Sequence, residues 1–339
     1  MGKKTSRRHD VIGIGSPLLD IVMQVDEDTL SKMNLKKGSM KLISKDESLS
    51  IAKETAQIKK RVSPGGSSAN TISGANALGT ETGFIGAVGD DEYGELYKKQ
   101  TEDEGVTPFL HHQEESVTGH AFTFITPDGE RTFATHLGAA NTLEKEHIKE
   151  DQIKDAKFFH IEAYQLEDPL LCRALFHAIA IAKDAKTKIS LDLSDAALIN
   201  RNKILFTDVI CEHVDVVFAN EDEAREFTGK DNEEALDYIA KMCDVAVVKL
   251  GEKGSLIKSG EEICKISPCS VDIENTNGAG DMYAAGILHG LVKGLSLREA
   301  GELASHASSL VVASPGARIH EKHLDSIQKL KKESVKTGH

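Results

Sequence analysis

"ENTNGAGDMYAAGILHGL" (residues 274–291) places three residues with almost no side chain, Gly278, Ala279 and Gly280, directly before Asp281 and an apolar helical pattern. A helix start built this way leaves its first N–H groups uncovered, and uncovered amides at the positive end of a helix make a seat for an anion. A carboxylate next to such a seat is unfavourable unless chemistry needs it. As a base, Asp281 would take the proton of a hydroxyl attacking a phosphorus atom held by the amides of Asn277, Gly278, Ala279 and Gly280. The structural alternative is a first-turn aspartate that caps N–H groups and suits the helix dipole.

The rest of the chain narrows the choice. With 339 residues, 40% of them hydrophobic, it can bury a large core and reads as a soluble globular protein. Its apolar runs are short, far from the roughly 20 residues that span a bilayer. A net charge of −13 argues against a general nucleic-acid binder, which needs a basic face. Five cysteines without a C-x-x-C pair point to neither a disulfide framework nor zinc, and to a reducing cytoplasm. The start "MGKKTS" matches an acylation pattern at Gly2 and Ser6, although a solvated tail is the better reading.

From residue 150 on, short apolar strands ("KFFHIEAY", "KISLDLS", "VDVVFAN", "VAVVKLG") alternate with helical stretches at 169–185 and 221–228. That rhythm predicts a mostly parallel sheet flanked by helices, an α/β fold whose ligands sit beyond the carboxyl ends of the strands. Asp192, Asn220, Glu223 and Gly251 fall there. A hairpin is expected at 117–137, turning at Asp128-Gly129. "GIGSPLLD" lacks the third glycine of a dinucleotide-binding turn, which disfavours a dehydrogenase.

"GGSSANTISGANALG" followed by "GFIGAVGDDEYG", then N-x-x-E at 220–223, then "NTNGAGDMYAAG" resemble, in order, the signatures of ribokinase-like (pfkB-type) carbohydrate and purine kinases over roughly residues 10–320. The resemblance implies one ribokinase-like α/β domain at 9–330 with a small β lid from segments 16–46 and 107–137, and tails at 1–8 and 331–339. It implies ATP and Mg²⁺ as requirements, with Asp281 as base. Asn220 and Glu223 would organise the metal through water, and Asp192, Asn220, Gly251, Lys253 and His306 would face ATP. Asp20, Gly65, Gly66 and Asn70 would hold the acceptor's hydroxyls. Asp20 as a turn cap, Asn70 as a buried helix amide, Lys253 as a solvated lysine and Asn220 with Glu223 as a helix cap are the structural alternatives.

"SPLLDIVMQVDEDTLSKMNLKKGSMKLI", "ERTFATHLGAAN" and "HIEAYQLEDP" are most similar to the adenosine kinases of that family. The implied reaction is adenosine to AMP, with Tyr164 stacking on the base, Met40 and Leu137 lining it from the lid, and Arg131 at the phosphates or flanking the lid. A sugar kinase with the same core and a nucleotide sensor without turnover are the rival readings. The implied partners are ATP and a nucleoside or sugar, with neither nucleic acid nor membrane, in a monomer or a homodimer. Asn275 stands where the family usually has Asp at a monovalent-cation site, so weak K⁺ activation is expected.

Overall fold

The computed structural model describes residues 9–337; the Gly2–Ser6 pattern lies outside them. Nine strands form one sheet in the order β14 (Glu262–Ile266), β13 (Ser255–Ser259), β12 (Val245–Lys249), β11 (Val216–Asn220), β10 (Lys188–Asp192), β9 (Phe158–Glu162), β1 (Val11–Ile14), β5 (Thr82–Gly89), β6 (Thr107–Gln113). Pairing is parallel from β12 through β6, and only the β12–β13 and β13–β14 pairings are antiparallel.

Alternation along the strands explains the layers. In β11, Val216 and Phe218 join one core cluster while Val217 and Ala219 join another; in β12, Val245 and Val247 split from Ala246 and Val248 in the same way. Successive side chains leave opposite faces of a strand, so both faces must be covered, and helices do this. Pro169–Ala185, Ala196–His213, Glu221–Thr228 and Asn232–Ile239 contribute to one cluster, and Ser67–Ala77, Ala279–Lys293 and Leu297–Val312 to the other.

The small residues of both signatures have a packing role. A Cβ on Gly74 would lie 2.6 Å from Met282 Sδ, one on Gly286 2.5 Å from Ala304 Cα, and one on Gly290 2.5 Å from Ala300 Cβ. The helices therefore approach closely where they cross, with no room for a side chain on these glycines. The consequence is positional: the helix that begins near Asp281 lies against the helix that carries Asn70.

The second sheet, of five strands, has the order β3 (Met40–Leu42), β8 (Arg131–His136), β7 (His120–Ile125), β2 (Leu18–Gln24), β4 (Lys60–Gly65). Ile21, Met23, Phe122, Phe124 and Ala134 form its own core with Leu30, Leu35 and Ile51 from outside the sheet. The run "DVIGIGSPLLDIVMQV" is thus two strands in two sheets, divided at residues 15–17.

Three boundaries differ from the sequence expectation. Residues 107–113 pair with β5 and close the edge of the large sheet instead of joining the lid, because the whole strand finds parallel backbone partners along 83–89. Residues 60–65, outside the expected lid, pair with β2 and belong to it. The expected tail from 331 is the second half of a helix, Leu324–Thr337, whose Ile327 and Leu330 are buried.

Candidate active site

Asp281 sits in the first turn of Ala279–Lys293, behind Gly278 at φ +78°, a left-handed conformation open to glycine and strained for other residues. A Cβ on Gly278 would fall on the Ala317 carbonyl oxygen. Among the described residues, the N–H groups of Gly278 and Gly280 donate to no protein acceptor, whereas Ala279 donates weakly to Thr276 O at 3.3 Å. Asn277 is a correction to the expected anion seat, since its N–H is taken by Asn275 Oδ1 at 3.0 Å.

Two donors grip the carboxylate, one on each oxygen: Ser67 Oγ donates to Oδ1 at 2.8 Å and Asn70 Nδ2 to Oδ2 at 2.9 Å. Burial pushes Asp281 up to about 6, against these two hydrogen bonds; the Asp192 charge pushes the same way and Lys249 opposes it. Asp20 is also raised to about 6, by burial first, with Arg318 and Arg61 opposing and Asp281 adding repulsion. A Cβ on Gly65 would lie 2.7 Å from Asp20 Oδ2, so the first glycine leaves room for that carboxylate. Gly66, at φ +95°, turns the chain from β4 into Ser67–Ala77. Asp20, Gly65, Gly66, Asn70 and Asp281 are thereby brought together, as the resemblance implied.

Beyond the strand ends, Lys249 Nζ donates to Asp192 Oδ2 at 2.8 Å, with Asp192 buried and Lys249 mostly so. Burial pulls Lys249 down, but Asp192, Glu223 and Asp281 outweigh it and the ammonium is held above its ordinary value. Asn220 and Glu223 form a capping box: Asn220 N and Nδ2 donate to the Glu223 carboxylate at 2.8 and 2.7 Å, and Glu223 N donates to Asn220 Oδ1 at 2.8 Å. Burial, then the Asp192 charge, raises Glu223.

Three carboxylates around one ammonium leave an excess of negative charge, which fits a cation. Among the described residues no three ligating side chains converge on one point. A Mg²⁺ here would therefore be held through waters and phosphate oxygens, with Asn220, Glu223 and Asp192 behind them, and would supply neutralisation of phosphate charge.

The remaining expected residues are more scattered. Tyr164 is 40% exposed and its hydroxyl approaches Ser194 O at 3.4 Å. Met40 is 60% exposed on β3. Leu137 lines a cavity of about 350 Å³ with Leu42, Thr135, His136, Gly138 and Asn141, which includes neither Asp281 nor Asn70. Arg131 Nη1 donates to Asn275 Oδ1 and so ties the lid to the anion loop. Gly251 begins a short 3-10 turn that ends at Lys253, whose ammonium points to Glu221 at 3.3 Å in an exposed pair. His306 is exposed on Leu297–Val312.

Sequence reasoning missed Ser67, Lys249, Glu162 and Arg318. Lys249 had a legible signal, because it ends a strand in register with Asn220. Glu162 had one too: it ends β9 opposite Asp192, and its carboxylate accepts from Ser16 N and Ser68 N, both at 2.8 Å. Ser67 is the first residue after the double glycine. Arg318 lies outside every signature and had none.

A model of the pfkB family carbohydrate kinases matches residues 31–323, and the chain belongs to that family. It is a phosphotransferase with an alcohol acceptor. Adenosine kinase 2 of Arabidopsis thaliana is 26% identical over 340 residues, covering 92% of this chain and 96% of that protein. The 5-dehydro-2-deoxygluconokinase of Geobacillus kaustophilus is 32% identical over 280 residues, covering 77% of this chain and 82% of its own. The crystal structure of adenosine kinase from Sinorhizobium meliloti matches with a TM-score of 0.86 at 30% identity, covering 95% of this chain and 99% of that one. No helix among the described residues is long and apolar enough to cross a membrane.

Proposed function

We propose that the chain transfers the terminal phosphoryl group of ATP to the primary hydroxyl of a nucleoside, adenosine above all. The observation that carries this reading is a row of side chains on one face of the lid. Ser63, Asp20, Ala121, Thr135 and Leu42 are register partners across β4, β2, β7, β8 and β3. Three strand spacings of about 4.8 Å separate Asp20 from Leu42, so the row runs about 14 Å. Small Ala121 lies between, and the cavity of about 350 Å³ lies at the far end. That volume is in the range of small-molecule sites, and a single sugar ring held at Asp20 would leave it unused.

In this reading Asp20 and Asn70 position the ribose hydroxyls, Asp281 accepts the proton of the attacking hydroxyl, and Ser67 with Asn70 keeps its oxygens aimed. The free amides of Gly278 and Gly280 and the nearby Lys249 ammonium stabilise charge on the transferred group. A sugar kinase is favoured over this by one fact, the 32% identity to a 5-dehydro-2-deoxygluconokinase. ATP-dependent ADP release with adenosine, inosine, ribose and fructose separates the two. Turnover with adenosine at least about tenfold above either sugar, in kcat/KM, is expected; turnover with free sugars alone overturns the nucleoside reading.

A further inference from the structure

We infer that Arg318 is a positioning residue for the transfer: anchored by Glu104, its guanidinium fixes the amide of Asn70 so that the NH₂ faces Asp281. The inference rests on the proposed roles of Asp281 and Asn70.

Arg318 Nε donates to Asn70 Oδ1 at 3.0 Å, and its Nη1 reaches Glu104 Oε2 at 2.5 Å. The side chain is only 13% exposed. A guanidinium has donors and no acceptor, so only the carbonyl end of an amide can face it. Asn70 is then left with its NH₂ toward Asp281, where a carboxylate accepts. A flipped amide would meet Arg318 with a donor and Asp281 with an acceptor, and both contacts would be lost at once. Arg318 thus settles which end of Asn70 the base sees without touching the base itself.

The same guanidinium is the strongest cationic influence on Asp20, ahead of Arg61. Arg61 comes from the lid, and its Nη2 donates to Pro315 O at 2.6 Å. Residues 315–318 therefore touch the lid at Arg61, the anion loop where Ala317 O covers Gly278, and the acceptor site at Asn70. A short strap outside every signature motif holds three parts of the site in one frame. Glu104, the C-cap of Glu92–Asp103, supplies the fixed end.

The test is a double-mutant cycle of Arg318→Met and Asn70→Ala, with Asp281→Asn alongside, measured with the acceptor that turns over best. Arg318→Met is expected to lower kcat/KM for the acceptor by about 10- to 100-fold, the loss of a charge-assisted hydrogen bond, with the KM for ATP within about twofold. In the Asn70→Ala background the same change should cost less than about threefold, because the partner it acts through is gone. Multiplicative losses, or an unchanged acceptor kcat/KM in Arg318→Met, overturn the inference. Should Arg318→Met fail to fold, Glu104→Gln, which leaves the arginine in place but loosely held, carries the test: a higher acceptor KM at constant ATP KM supports it and an unchanged one overturns it. Full activity in Asp281→Asn would instead overturn the base assignment, so the two failures are told apart.

Discussion

Asp281→Asn should make the protein a poorer enzyme and a more stable fold. The Asp281 carboxyl is raised from the usual 3.8 to about 6, chiefly by burial. A raised carboxyl means that the folded chain binds the proton more tightly than the unfolded one. Between about pH 4 and 6 the unfolded chain loses its proton first, so stability falls as pH rises, and the full cost remains above about 6. The shift corresponds to about 3 kcal/mol at neutral pH. The side chain is partly accessible, so screening leaves about 1–3 kcal/mol. An amide cannot ionise and avoids this cost, while its oxygen can still accept from Asn70 and its NH₂ can donate to Ser67 Oγ. Thermal melts of both proteins from pH 4.5 to 7.5 should show the variant about 2–6 °C more stable at the neutral end, with the gap closing toward the acid end. Turnover should fall by about 10²- to 10⁴-fold. A variant that melts below the parent at pH 7.5, or a gap that ignores pH, would refute the claim that a buried, ionised base is held here at a cost to the fold.

The remaining predictions concern the same site. For the parent, kcat/KM should rise with pH through about 6 and then level, since the base acts only when deprotonated; a flat profile from pH 5 to 8 counts against Asp281. Gly278→Ala should lose about 1–2 kcal/mol in chemical denaturation from its positive φ alone, and at least about tenfold in kcat as the amides move. Ala121→Leu fills the middle of the lid row and should raise the KM for adenosine about tenfold or more while sparing ADP release with a free sugar. Potassium at constant ionic strength should change turnover by less than about twofold, because the lid's Arg131 already donates to Asn275 Oδ1.

The parts of the fold that were legible in sequence are those set by local pattern. The helices at 169–185 and 221–228 appear with those bounds, since each has an Asp or Asn cap before it and strong periodicity inside. The strands after residue 150 were read from continuous apolar runs, the mark of strands buried on both faces. Residues 107–113 misled because "TPFLHHQ" is half-buried throughout and alternates weakly, so only its partner β5 reveals which sheet it joins. Asp281, the glycines and Asn70 could be read because their spacing is fixed within two short motifs. Arg318 and Glu104 could not, since they meet across 214 residues and neither sits in a recognisable pattern. At Asn220 and Glu223 the structure shows the helix-cap alternative as a capping box, and the metal role proposed for the same pair shares its spacing, which is why spacing alone cannot separate the two.

The most direct measurement is phosphorus NMR of the parent and of Asp281→Asn incubated with ATP, Mg²⁺ and adenosine. One phosphate ester on the acceptor's primary oxygen for each ADP formed, and loss of both signals together in the variant, is the predicted result. ATP consumed with phosphate released to water, or an ester formed at the parent's rate by the variant, would contradict it.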